Sequence, residues 1–269
     1  MFKKIIFSFL LLLLLLLIFL LMQIPDNKFH IYFLDIGQGD SIFIKTPENH
    51  QILIDSGPGP KIIEELNKII PYFDRSLDLL VLSHPHQDHY MGFLELLSNY
   101  DVDLVLLTAV NYDDIFYSKL LKTLENKKVE VIIAHEKMDL FFHDVLLDII
   151  YPFESLALQN FNNINNSSIV IKVTYKENVI LLTGDIESEI EEELLDYDIA
   201  ANILKVPHHG SNSSSSLNFL RKINPEIAII QSGRNNKFGH PHEETLEKFA
   251  NLNIDVLRND LEGTIEFIF

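Results

Sequence analysis

The run Leu77-Asp78-Leu79-Leu80-Val81-Leu82-Ser83 passes directly into His84-Pro85-His86-Gln87-Asp88-His89, and this junction constrains the fold more than any other feature. An apolar run of that length fits a buried strand, so the histidines and aspartate would ride at the end of a stiff scaffold. Clustered in a loop, such groups have no packing value that offsets their desolvation. Imidazole and carboxylate are natural ligands for zinc or manganese, and the spacing lets His84 and His86 face one way while Asp88 and His89 reach a second position.

The remaining histidines repeat the theme. His208 with His209, and His240 with His242, lie in polar loops after predicted strands, where side chains can converge on a cavity. His242 reads as a surface residue at a helix start, and the isolated His30, His50, His135 and His143 read as structural. The chain has no cysteine, which excludes disulfides, thiolate metal sites and a cysteine nucleophile. No GxSxG elbow surrounds the serines at 211–216, so a serine hydrolase is not expected. A net charge of −18 predicts no broad basic groove, so a polyanion would have to be held locally, chiefly by metal.

Taken together, His84, His86, Asp88 and His89 match the HxHxDH signature, and the chain resembles metallo-β-lactamase-fold hydrolases. Five further segments are similar to the extracytoplasmic domain of ComEC-type competence proteins, in that family's order. They are Asp35-Ile36-Gly37-Gln38-Gly39-Asp40-Ser41, Leu82-Ser83-His84-Pro85-His86, Leu182-Thr183-Gly184-Asp185-Ile186-Glu187, Lys205-Val206-Pro207-His208-His209-Gly210-Ser211 and Gly239-His240-Pro241. The resemblance implies two divalent metal ions, zinc or manganese, with His84 and His86 on one, Asp88 and His89 on the other, and Asp185 bridging. Either His208 or His209 would complete the second site. A hydroxide bridging the metals would be the nucleophile, Asp88 and His240 would be the catalytic candidates, and His240 would bind substrate or donate a proton. Asp55 would support the histidine loop without ligating. Many members of the wider superfamily have a further histidine before the bridging aspartate. Here that region reads Asn162-Asn163-Ile164-Asn165-Asn166-Ser167-Ser168, so the first metal would be held more weakly, or through asparagine or water. Gln38 and Asp40 read as turn-shaping residues.

The fold class expected is α/β, a four-layer αββα sandwich preceded by one N-terminal transmembrane helix. Residues 1–25 form the anchor and 26–269 the hydrolase domain. Ile5 to Met22 is uncharged and long enough to cross a bilayer core, and Lys3 and Lys4 before it place the domain outside the cell. Secretion after signal cleavage is the alternative. Strands are predicted at 30–35, 41–45, 51–55, 77–83, 104–107, 129–134, 145–151, 168–175, 179–183, 201–206 and 227–231. Helices are predicted at 60–72, 92–99, 115–126, 188–195, 216–223 and 243–252.

Function follows as an extracytoplasmic metal-dependent phosphodiesterase or nuclease, with DNA and the DNA-uptake machinery as expected partners. Alternatives are a cell-envelope phosphoester or ester/lactone hydrolase on the same site, and a non-catalytic metal-binding module.

Overall fold

The computed structural model describes residues 2–22 and 25–269, with the side chains of 2–17 and 25–269. The strands are β1 (His30–Phe33), β2 (Ile42–Lys45), β3 (Gln51–Ile54), β4 (Ser76–Val81), β5 (Asp101–Leu107), β6 (Glu130–Ile133), β7 (Asp139–Phe142), β8 (Val145–Tyr151), β9 (Val170–Tyr175), β10 (Asn178–Leu182), β11 (Ile203–Lys205), β12 (Ile227–Ile230), β13 (Asp255–Arg258) and β14 (Ile265–Ile268). The helices are α1 (Phe2–Met22), α2 (Lys61–Ile69), α3 (Gln87–Asn99), α4 (Ile115–Lys127), α5 (Ser188–Glu193), α6 (Leu217–Ile223), α7 (Glu243–Asn251) and α8 (Asn259–Glu262).

Two sheets form, in the orders β14-β1-β2-β3-β4-β5-β6 and β13-β12-β11-β10-β9-β8-β7. Both change from antiparallel to parallel pairing partway across, the first between β3 and β4 and the second between β10 and β11. Alternation along the strands separates three apolar layers. Leu79 and Val81 of β4 face Leu147, Ile171 and Val173 of the other sheet, while Leu77 and Leu80 pack outward on α2, α3 and α4 through Leu66, Phe93 and Leu120. On the far side Leu181, Leu204 and Ile230 pack against Leu194, Phe219 and Phe249, on the turn after α5, on α6 and on α7. Helix, sheet, sheet, helix is therefore the layer order, as expected. Strands buried on both faces read as continuous apolar runs, which is why β4 was conspicuous in the sequence.

Several boundaries differ from expectation. Helix α3 begins at Gln87 rather than residue 92, so Asp88 and His89 lie in its first turn, with His86 in extended conformation as its N-cap. β7, β13, α8 and β14 were not predicted; β14 pairs antiparallel with β1, and β13 parallel with β12, each at a sheet edge. Their partly exposed residues, such as Asp255, Glu266 and Ile268, blur the apolar periodicity.

The expected anchor, residues 1–25, includes residues 1, 23 and 24 and the side chains of 18–24, which lie outside the described residues. Side chains from Phe2 to Leu17 of α1 are exposed, and among the described residues no helix is long and apolar enough to cross a membrane.

Helix α3 lies close against the turn after β3. A Cβ on Gly92 would run into the Ser56 carbonyl oxygen and meet Ile62 Cγ2 at 2.9 Å. Gly92→Ala is expected to cost ~1–3 kcal/mol through overpacking, read as a lowered thermal midpoint of the purified protein. An unchanged midpoint would contradict this packing.

Candidate metal centre

The site lies at the C-terminal ends of the strands where the two sheets change pairing, the kind of switch point at which α/β sheets open a crevice. Asp55 follows β3, His84 and His86 follow β4, Asp185 follows β10, and His208 and His209 follow β11. Each side chain leaves a paired strand within a few residues, so its backbone is held by the ladder.

Asp55 is the hub of the histidine loop. Its backbone is left-handed (φ 56), and its Oδ1 accepts the Ser83 N–H at 2.8 Å. Its Oδ2 accepts from Ser83 Oγ at 2.6 Å and lies 2.8 Å from His89 Nδ1. With Nδ1 directed at Asp55, Nε2 of His89 points into the site, 3.3 Å from Asp185 Oδ2. His209 is oriented in the same manner: Nδ1 meets the Gln231 carbonyl oxygen at 2.9 Å, and Nε2 lies 3.2 Å from Asp185 Oδ2 and 3.4 Å from Asp88 Oδ2. A hydrogen bond on one ring nitrogen that fixes the other as the ligand is the usual support of a metal-binding histidine. His84 is fully buried, and its Nε2 shares a hydrogen bond of 3.0 Å with Nδ1 of His86. Gly39 (φ +120) lies so close to the Asp88 carbonyl that any Cβ there would collide with it.

The donor chemistry fits divalent cations. Ligand atoms of His84, His89 and Asp185 lie within 4.8 Å of one another, as do those of Asp88, His89 and His209, and those of Asp40, Asp185 and His209. Nε2 of His89 and Nε2 of His209 are buried with no hydrogen-bond partner. Such orphaned groups are rare in proteins, and a bound ion satisfies them.

His208 does not join these donor groups. It lines the adjoining cavity, with Nδ1 3.2 Å from Ser213 Oγ and 3.3 Å from Glu187 Oε1. Of the pair, His209 is therefore the one the geometry brings to the cluster. His86 also stands outside the triplets but is bonded to His84, and it lines the same cavity. The Asn-rich stretch forms a tight turn that buries Asn165 and Asn166. Asn165 gives its Nδ2 to Glu187 Oε1 at 3.0 Å, while its Oδ1 is buried and unpartnered, an oxygen free to face an ion. His240 faces the cavity with Nδ1 buried and unpartnered; His242 caps α7 and its Nδ1 accepts the Asn212 N–H at 3.0 Å.

Two residues went unrecognised as site residues. Asp40, read as a turn former, is buried 3.3 Å from His209 Nδ1, and Lys205 is wholly buried in a close ion pair with Asp40. A lysine ending the apolar strand Ile203–Lys205 was the available signal, since a cation is rarely buried without a partner.

Charge in the cluster is strongly ordered. Burial opposes protonation of His89, but the Asp185 and Asp55 carboxylates outweigh it and hold its pKa well above the ordinary imidazole range. Burial likewise opposes protonation of His209, and Asp185 and Asp40 likewise raise it. His84 shifts the other way, pushed well below that range by burial and by the His89 charge. Burial would raise Asp88, yet the neighbouring His209 and His89 imidazoles hold it below the usual carboxylate range.

The metallo-beta-lactamase superfamily profile matches residues 34–234. "ComE operon protein 3" of Bacillus subtilis is 30% identical over 253 residues, covering 87% of this chain and 32% of that protein. "Competence protein ComA" of Neisseria gonorrhoeae is 28% identical, covering 91% of this chain and 33% of that one. The chain thus spans about a third of the length of these relatives. Among solved structures, the metallo-beta-lactamase fold protein YhfI of Bacillus subtilis superposes with a TM-score of 0.60 at 11% identity, covering 90% of this chain and 100% of that one, a likeness of fold.

Two outcomes are expected. His209→Ala should lower divalent-metal affinity by about 10-fold to 100-fold or more, whereas His208→Ala should leave metal stoichiometry unchanged, both measured by metal analysis after dialysis. Because the raised pKa values leave His89 and His209 protonated at neutral pH without metal, loading should release protons. Calorimetry in buffers of different ionisation enthalpy would detect this, and buffer-independent heats would contradict the arrangement.

Proposed function

This chain belongs to the metallo-β-lactamase superfamily, and from that premise we propose that it is a metal-dependent phosphodiesterase acting outside the cell, tethered to the membrane by its N-terminal segment. The single observation that carries the reading is the sharing of His89 and Asp185 among overlapping donor triplets, an arrangement suited to two adjacent divalent cations. Bound there, such a pair lowers the pKa of water and offsets charge on attacking and leaving oxygens at phosphorus, so no protein nucleophile is needed.

The chain's own residues supply the rest. A cavity of about 340 Å³ opens over the cluster, lined also by Gln38, Tyr112, Phe238 and His240. Burial and the charges of His209 and His208 push His240 down to about 4, so at neutral pH it offers a hydrogen bond to a phosphoryl oxygen or leaving group rather than a full proton. Phe238 lies parallel to the His240 ring at 5.7 Å between centroids and is half exposed, a surface on which a nucleobase or other flat group could rest.

DNA is the proposed substrate class because the relatives carry competence names, and the DNA-uptake machinery is the proposed partner. A net charge of −18 argues that the grip on such a substrate is local to the cations. The same charge and the small cavity favour a second reading, a compact cell-envelope phosphoester. Metal-dependent cleavage of DNA strands would support the first, and turnover confined to small phosphoesters the second. Membrane attachment rests on the uncharged run Ile5 to Met22 and on the exposed apolar side chains of α1 up to Leu17.

Asp88→Ala is expected to reduce hydrolysis of a phosphodiester panel to background while the protein still melts cooperatively. Chelation should abolish wild-type turnover and added manganese or zinc restore it; turnover insensitive to chelation would sink the reading. Removal of residues 1–25 should release the protein from membranes with activity intact, and persistent membrane association would refute the tether.

A further inference from the structure

Lys205 ends β11 with no exposed surface, yet its ammonium lies among the carboxylates of the candidate metal centre. Nζ donates to the Gly184 carbonyl oxygen at 2.9 Å, pairs closely with Asp40 Oδ2, and stands 3.6 Å from Asp185 Oδ1. The other Asp185 oxygen, Oδ2, faces Nε2 of His89 at 3.3 Å and Nε2 of His209 at 3.2 Å. The two oxygens of one carboxylate are thus turned to different neighbours, an ammonium on one side and the imidazole cluster on the other.

Asp40 extends the same arrangement. Its Oδ1 lies 3.3 Å from His209 Nδ1, so the Lys205–Asp40 pair backs an imidazole as well as the carboxylate. Asp40 comes from the connection between β1 and β2 in the first sheet, and Lys205 from β11 in the second, so the pair also ties the sheets together beneath the site. Among the described residues, Lys205 is the one lysine or arginine ion-paired with Asp40, Asp55, Asp88 or Asp185. Stability alone is a poor reason for such a pair, because apolar replacement of a buried ion pair is commonly neutral or favourable. Its placement against Asp185 is the better reason.

We propose that Lys205 is a positioning residue of the metal centre: it holds Asp185 Oδ1 so that Oδ2 alone is presented to the cations, and it balances Asp40 behind His209. The proposal rests on reading the cluster as a metal centre. Without Lys205, Asp185 could rotate and offer both oxygens to one ion, and the sharing of that carboxylate between neighbouring sites would be lost.

The test is calorimetric titration of zinc and manganese into metal-stripped full-length protein in detergent, with thermal melting and phosphodiester kinetics on the same samples. The proteins are wild type, Asp40→Asn, Lys205→Arg and the double variant Lys205→Met/Asp40→Asn, which leaves no unpaired buried charge from this pair. The double variant is expected to melt cooperatively but to bind metal about 10-fold to 100-fold more weakly than Asp40→Asn alone, or to lose one equivalent, with kcat falling more than KM changes. Lys205→Arg, which keeps the charge, should restore the wild-type stoichiometry. Wild-type affinity and stoichiometry in the double variant would overturn the role of Lys205. So would its failure to fold, which would make Lys205 a folding residue, or loss of stoichiometry in Lys205→Arg equal to that in the double variant. A wild type that binds neither metal would instead overturn the metal-centre reading on which the proposal stands.

Discussion

Oδ2 of Asp185 sits between Nε2 of His89 and Nε2 of His209, 3.3 and 3.2 Å away, and this contact joins the two sheets where their chemistry lies. His89 is delivered from the first sheet by the start of α3, Asp185 and His209 from the second by the turns after β10 and β11. None of the three can be buried alone, since an unpaired ion in an apolar interior costs several kcal/mol. Asp40, Asp55 and Lys205 pair with one another's neighbours around them, so the charged groups are buried as a set. Three apolar layers hold the strand ends in register, and an interior that dense leaves the cluster little freedom to spread.

Much of this was legible in the sequence because strands buried on both faces announce themselves as apolar runs, and polar groups at their ends stand out by contrast. β4 followed by His84, His86, Asp88 and His89, and β10 followed by Asp185, are of this kind. Asp55, expected beside the histidine loop, bonds Ser83 and His89 there. The choice between His208 and His209 was not legible, because it depends on two successive left-handed residues (φ 50 and 55) that turn the rings apart. Asp40 looked like an ordinary turn residue, since its partner Lys205 lies 165 positions away in sequence and the two meet only when the sheets pack. β13 and β14 were missed for a related reason: their partly exposed faces dilute the pattern that marks the central strands.

The chain spans about a third of the length of its competence-named relatives. Here the domain follows the apolar helix α1. The cluster gathers its imidazoles and carboxylates at one point, inside a chain of net charge −18. A cavity bordered by Tyr112, Phe238 and His240 opens onto it.

The most direct measurement is diffraction from crystals grown with manganese or zinc, with anomalous scattering recorded at the metal edge. Two peaks are expected, one among Asp88, His89 and His209 and one beside His84 and His86, both touching Asp185. Crystals grown with either metal that show no peak at this cluster, or that place the metal elsewhere on the chain, would contradict the account.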